Sequence, residues 1–463
     1  MGRALLIKIG TLAALVLALL IPLKMIESKI SERATTRAAV VAELANTSVG
    51  EQTVSGPLLV IPCAEHYVVQ EGDARRGYTK EARTRDCTRV HVAETLSTNG
   101  VLTTENRYRG IYSARFFVTR LDFRGRFDIG AAPPVAAGVT REWGTPVVLM
   151  SLRDVRGIRG TSAFSWNGHA HAFKPGTGPS ATSPGLHAAL ETKGVAPGLH
   201  EFSYSMEILG MQKLSFTPSA RQHDVTLRAD WAHPSFGGRH LPASREVNEA
   251  GFSASWRISE LASEAPRALQ ACGDPACKAV EPYAFGVSLI EPVDVYTQAH
   301  RAVKYALLFV LLTFAAFFLF EVLRGLRIHA VQYALVGLAL AMFFLLLIAL
   351  SEHIPFLLAY LIAAIACVGL ITVYVQAVLQ SVVRALAFSA MLTALYTMLY
   401  ALLRSEDHSL LLGAMLVFAV LAAVMLLTRR IDWYGVGRAD GAALAFARAS
   451  PPYEQKETDG FPP

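Results

Sequence analysis

The chain has 463 residues, 52% of them hydrophobic, and 43 Lys and Arg against 37 Asp and Glu give a net charge of +6. That length leaves room for two or three domains. The small basic excess is no nucleic-acid signal, because the cations are scattered and no aromatic-interleaved basic patch occurs. Arg324, Arg327, Arg384, Arg429 and Arg430 sit beside long apolar runs and read as orientation charges.

At the amino terminus, Arg3 and Lys8 flank an apolar run, Ile9–Leu23. The run leads into Ile-Pro-Leu-Lys-Met-Ile-Glu and offers no small-residue cleavage site. Residues 1–24 are therefore expected to form an uncleaved signal anchor with its amino terminus in the cytoplasm. Over residues 25–57, Ile26, Ile30, Ala34, Val41 and Leu44 recur at helical spacing. They predict a helical stalk, ended by Gly50 and Gly56-Pro57.

Residues 58–300 change texture to short runs rich in Val, Ile, Thr, Phe and Tyr. Strands are expected at Leu58–Ile61, Thr88–Thr95, Tyr112–Thr119, Val147–Leu152, Phe202–Met206, Asp224–Trp231 and Phe252–Ile258. Asn99-Gly100, Asn167-Gly168 and Gly237-Gly238 read as turns, the two Asn-Gly pairs as hairpins. Glu71–Asp86 and Lys174–Gly185 read as flexible loops by composition. Strands and helices do not alternate here. The fold class expected is an antiparallel, sandwich-like β-rich domain with length enough for two subdomains.

Four of the five cysteines, Cys63, Cys87, Cys272 and Cys277, fall in this segment, and Cys367 falls in an apolar run. An even number in an oxidising compartment predicts disulfides. Nearest-neighbour pairing, Cys63–Cys87 and Cys272–Cys277, is the expectation among three connectivities, with free thiols as the alternative. C-x4-C with a distant second pair is not a zinc-finger spacing.

From residue 301 to 434 the chain becomes a succession of apolar runs, at about 302–323, 331–350, 354–376, 385–403 and 409–427. Each is roughly 17–21 residues long or a little more, enough to cross a hydrocarbon core of about 30 Å as a helix. With the anchor they make a polytopic α-helical membrane protein of six spans. The positive-inside rule puts both termini in the cytoplasm and residues 25–300 outside, in the periplasm of a bacterial inner membrane. Arg301 and Lys304 run against that rule, from which long translocated domains are exempt. Residues 435–463, rich in Gly, Ala, Pro and charge, predict a disordered cytoplasmic tail.

Ionisable groups at membrane depth are costly, so those near the runs are the candidates for function. Glu321, Gln332, Glu352 and His353 form the candidate membrane polar site, and Glu406-Asp407-His408 lie in the last outer turn. The functional reading makes Glu352 and His353 an outward-facing relay or contact. The plainer reading makes them interfacial residues that cap helix ends, with Glu321 a snorkelling interface residue. Gly337, Ala339, Ala341, Gly369, Gly413 and Ala414 let helices approach closely. His169 and His171 share a strand face, but two imidazoles make no metal site. P-loop, H-E-x-x-H, G-x-S-x-G and G-x-G-x-x-G patterns are absent. No catalytic residue, cofactor or metal is expected.

Arg301–Phe309, Leu312-Thr-Phe, Phe317–Glu321, Ile328–Leu340, Leu350–Ile354, Ala359-Tyr, Leu410–Gly413 and Leu427–Tyr434 carry a family resemblance. So do Trp231–Gly238, Leu241-Pro and Gly251-Phe-x-Ala-x-Trp256 in the β-rich segment. They resemble the CreD family of Gram-negative inner-membrane proteins associated with cell-envelope integrity. The family usually has proline where Ala330 stands and tyrosine where Phe344 stands. The resemblance implies a link to envelope stress, to tolerance of certain colicins and to a two-component regulatory system, and it carries over no catalytic residue. The expected function is maintenance of envelope integrity through periplasmic contacts. A transporter or channel, and a transmembrane sensor or modulator, are the alternatives. The expected partners are the lipid bilayer and envelope or peptidoglycan-associated proteins, not nucleic acid; ligand and oligomeric state stay open.

Overall fold

The computed structural model describes residues 3–73, 77–177, 183–291, 295–324, 328–404 and 409–429. The tail after 434 and Glu406-Asp407-His408 lie outside them. The chain divides into two compact units, Met1–Thr36 with Val293–Pro463, and Arg37–Pro292.

The first unit is helical. Helix α1 runs unbroken over Arg3–Thr47, so the expected anchor and stalk are one helix with Pro22 inside it. After the β-rich segment come α2 (Ala265–Cys272), which belongs to the second unit, and then α3 (Val295–Arg324), α4 (Ala330–Ser351), α5 (Phe356–Leu379), α6 (Val382–Arg404) and α7 (Ser409–Thr428). Among the described residues five helices, α1 and α3–α6, are long and apolar enough to cross a membrane. In α7 the shorter apolar stretch is Leu411–Leu426. Leu17, Ile21, Leu311, Leu338, Leu361, Ile365 and Val373 are exposed on these helices, as suits a surface solvated by acyl chains. Aromatic rings fill the interior: Phe309, Phe343 and Tyr360 group around Tyr396, and Phe314, Phe317 and Phe388 around Tyr333.

The second unit is a large, mainly antiparallel β structure. Three long strands open it: β1 (Gln52–Asp73), β2 (Gly77–Arg109) and β3 (Tyr112–Ile129). Strand β2 is shared between two groups of strands. Its first part pairs with β1 up to Leu58↔Val92, and its second part pairs with β3 and with Ala220–Ala229. Both groups send side chains into one core, with Val54, Met150, Leu214 and Phe285 from the first and Leu96, Phe123, Phe202 and Trp256 from the second. Two pairings are parallel, β1 with Lys213–Phe216 and β2 with Ala220–Ala229, against the all-antiparallel expectation. On the far side of the first group, α2 and the 3₁₀ segment Lys278–Tyr283 cover Leu58, Val92, Val147 and Leu149.

Several local expectations change. Asn167-Gly168 is a hairpin turn, with both residues at positive φ between Phe164–Trp166 and His169–His171. Asn99-Gly100 is not a turn; it lies inside β2, where a Cβ on Gly100 would come within 2.7 Å of Leu121 and Leu227. The glycine is there for close packing, a signal that a sequence cannot distinguish from a turn. Gly237-Gly238 likewise ends a strand, Pro234–Gly238, paired with Phe285–Leu289. The expected loop Glu71–Asp86 is a two-stranded ribbon, paired out to Asp73↔Gly77. Lys80, Glu81, Arg83, Arg85 and Asp86 are exposed on the ribbon as they would be on a loop, so composition alone misleads. In Lys174–Gly185, Lys174 and Pro175 pair with His187 and Leu186, and residues 178–182 lie outside the described set.

His223 is fully buried against Phe285, its Nε2 3.2 Å from the Thr98 hydroxyl and its Nδ1 without a partner among the described residues. Burial drives its pKa down to about 3. The unfolded chain then binds a proton near pH 6.5 that the folded chain refuses until about pH 3. Stability is whole above pH 6.5 and falls as the pH drops through that window, by about 1 kcal/mol per unit. Unfolding of the full chain in detergent, followed by tryptophan fluorescence, checks this: His223→Phe flattens the slope between pH 6 and pH 4. A second test concerns Gly125 in β3, where a Cβ would overlap the Thr95 carbonyl oxygen. Gly125→Ala is expected to cost about 2 kcal/mol in the same unfolding assay.

Candidate functional site

A carboxylate buried among apolar helices needs a cation and hydrogen bonds around it. Glu321, near the end of α3, is buried rather than snorkelling. Its Oε1 pairs with Lys8 of α1 and accepts the Ile328 N–H at 3.1 Å; its Oε2 accepts the Tyr333 hydroxyl at 2.8 Å. Lys8 also donates to the Ile328 carbonyl at 3.0 Å. Four residues thus fasten α1, α3 and α4 at one end of the helices.

Glu352 makes a second fastening. It is the C-cap residue of α4, lies 3.6 Å from the Arg33 guanidinium of α1, and accepts the Tyr296 hydroxyl of α3 at 3.3 Å. Lys8 and Arg33 stand twenty-five residues apart on α1, as Tyr296 and Glu321 do on α3. That separation is about 37 Å of helix at 1.5 Å per residue, enough to bracket a hydrocarbon core of about 30 Å. Between the two fastenings, residues 305–320, 330–350, 356–379 and 385–403 carry no Asp, Glu, Lys or Arg.

The other sequence candidates have modest roles. Gln332 accepts the His329 N–H at 3.0 Å while His329 Nδ1 accepts the Val331 N–H, which caps the start of α4. His353 is exposed in the turn after α4 and is not drawn into either cluster. Further polar contacts join the helices: Tyr396 donates to Cys367 Sγ at 3.1 Å, and Tyr360 donates to the Tyr396 carbonyl at 2.6 Å. Sequence reasoning missed Lys8, Arg33, Tyr296 and Tyr333. Lys8 was legible only as an orientation charge, because its partner lies 313 residues away.

In the β-rich unit, Cys63 and Cys87 face each other across β1 and β2 and are disulfide-bonded, as are Cys272 and Cys277. Above the first bridge, Arg85 and Arg141 converge on Glu65 and hold its carboxyl below the usual range. His169 and His171 lie on a short strand without a third ligand; among the described residues no cluster of three metal-ligating side chains occurs.

Apolar helices tied at both ends by ion pairs, with a disulfide-bonded β unit inserted after the first, define a multi-pass membrane protein with a large extramembranous domain. The family described as Inner membrane protein CreD matches residues 4–434. The inner membrane protein CreD of Escherichia coli K12 is 37% identical over 428 residues, which span 92% of this chain and 93% of its own. The chain belongs to the CreD family of bacterial inner-membrane proteins. Among solved structures, an M1 zinc metallopeptidase from Deinococcus radiodurans is 10% identical over 36% of this chain and 38% of its own, with a TM-score of 0.17. A two-domain M1 zinc metallopeptidase is 12% identical over 36% and 40%, also at 0.17. At that score the likeness carries no argument.

The Glu321 cluster has a measurable signature. Lys8→Met leaves the carboxylate buried without its cation and is expected to destabilise the helical unit by about 3 kcal/mol. Adding Glu321→Gln removes the stranded charge, and the double variant should recover most of the loss. Thermal aggregation in detergent, followed by size exclusion, gives both values.

Proposed function

We propose that the chain maintains cell-envelope integrity through contacts of its β-rich unit, with the helices as its anchor and without catalysis. In this reading α1 and α3–α7 make six spans, both termini are cytoplasmic, and the β-rich unit is a two-layer, sandwich-like periplasmic domain. Support for the anchor comes from one observation above all: the Asp, Glu, Lys and Arg of α3–α6 lie outside their long apolar stretches, and those described at Glu321 and Glu352 are spent on ion pairs between helices. A transport path needs polar groups partway through the bundle, and residues 305–320, 330–350, 356–379 and 385–403 of α3–α6 have no Asp, Glu, Lys or Arg. The two disulfides support an oxidising compartment for the β-rich unit. One core fed by two strand groups supports the two-layer description. The 20 residues of α7 support a sixth span.

The test is complementation of a deletion strain, scored as growth on detergent and on cell-wall antibiotics. Residues 1–291 carrying Lys8→Leu, which removes the cation whose partner is lost, are expected to restore growth. Failure of a membrane-inserted protein with both disulfides formed would show that the helices do more than anchor. In the full chain, Glu352→Gln keeps an acceptor for Tyr296, and His353→Ala touches an exposed ring. Both should complement within about twofold of the parent in minimal inhibitory concentration, as an interfacial role requires.

A further inference from the structure

Strand alternation gives the first strand group a second face. Val54, Met150, Leu152, Leu214 and Phe216 point into the main core, so their neighbours Thr53, Ser55, Ser151, Arg153, Lys213, Ser215 and Thr217 occupy the other side. The register brings these together: Thr53 lies opposite Ser215 and Ser55 opposite Ser151. This face is roofed by the segment around Pro275, Ala276 and Cys277, closed by the Cys272–Cys277 bridge, and by Val280 and Glu281 of the 3₁₀ turn. Between roof and strands lies a cavity of about 480 Å³. It falls within the range of roughly 300–1,000 Å³ usual for small-ligand sites.

Its lining is unusual for a protein surface. Ser55, Ser151, Ser215 and Thr217 are buried residues, and among the described residues Ser55 Oγ has no hydrogen-bond partner. A buried hydroxyl is ordinarily satisfied, so an orphan in the wall of a cavity marks a missing partner. Ser151 donates to the Pro184 carbonyl at 3.0 Å and Ser183 to Asp274 at 2.6 Å, which stiffens the rim. Lys213 and Arg153 supply positive charge; Arg153 also faces Glu51 at 3.6 Å. Among the described residues no aromatic ring lines the cavity, so recognition rests on hydrogen bonds and charge rather than stacking.

We propose that this cavity binds a small polyhydroxylated anion of the sugar-acid class. Hydroxyls both donate and accept, so a wall of them matches a polyol that does the same. The two cations set the carboxylate, and Glu281 accepts from ligand hydroxyls. The site lies wholly inside the β-rich unit and does not depend on the envelope role or on membrane orientation.

Isothermal titration of the full-length protein in detergent tests it with three probes: glucuronate, glucose, which lacks the charge, and acetate, which lacks the hydroxyls. Glucuronate is expected to bind at least tenfold more tightly than either. Lys213→Met and Ser55→Ala should each weaken glucuronate at least tenfold with both disulfides and the circular dichroism unchanged. Lys193→Met, on the surface beside Glu142, should bind like the parent. The assignment is overturned if glucuronate gives no binding. It is equally overturned if glucose or acetate binds as tightly, or if the Lys213 and Ser55 variants titrate like the parent.

Discussion

The helical unit depends on one constraint: a carboxylate placed among apolar helices must be neutralised where it sits. Glu321 has its acceptor positions filled by Lys8, Tyr333 and the Ile328 N–H. Among the described residues, a helix from the far end of the sequence supplies the cation, across 313 residues. Most of what separates them is an independent β-rich unit, so α1 is held to α3 and α4 by chemistry and not by chain proximity. Removing one partner of a buried ion pair costs more than the pair itself contributes, because it strands the other charge.

The β-rich unit depends on a different constraint, the continuity of β2. A strand of 33 residues serves two groups of partners, and the change of partner falls between Val92 and Ala93. Val92 belongs to the small apolar cluster under α2, whereas Ala93 and Leu96 belong to the main core. The glycines along these strands follow from the same crowding. At Gly100 and Gly125 a side chain would meet a neighbouring strand's leucines or carbonyl, so the sheet closes only with hydrogen in that place. The ends of the unit are joined as well, since Arg37 donates to Glu291 at 2.9 Å.

The sequence made long apolar helices and a β texture legible because both are set by local periodicity. Val147–Leu152 was readable to the residue, a mostly apolar run whose Val147 and Leu149 face one apolar cluster and whose Val148, Met150 and Leu152 face another. Signals that depend on distant partners were not readable. Asn99-Gly100 has the composition of a hairpin and the structure of a strand, because the leucines that demand the glycine come from β3 and from Ala220–Ala229. Glu321 looked interfacial for the same reason: an arginine three residues on was visible and a lysine 313 residues away was not. The parallel pairing of β1 with Lys213–Phe216 also joins segments that nothing local connects.

That parallel pairing has a consequence for chemistry. It lays Thr53 beside Ser215 while Val54 and Leu214 fill the core, so two segments with no local relation share a polar face. Were the face open to water, serine and threonine there would need no explanation beyond solubility. It is instead covered at one end by α2 over Val147 and Leu149, and at the other by the disulfide-closed segment. Under the same roof the lining changes from apolar to hydroxyl-bearing within one strand, Leu149 to Ser151, and Ser55 is left without a partner. A cover that needed only to pack would favour apolar residues throughout, since buried hydroxyls without partners oppose folding. Ser151 already donates to the Pro184 carbonyl, so in the proposed site Ser55 is the hydroxyl that a ligand satisfies.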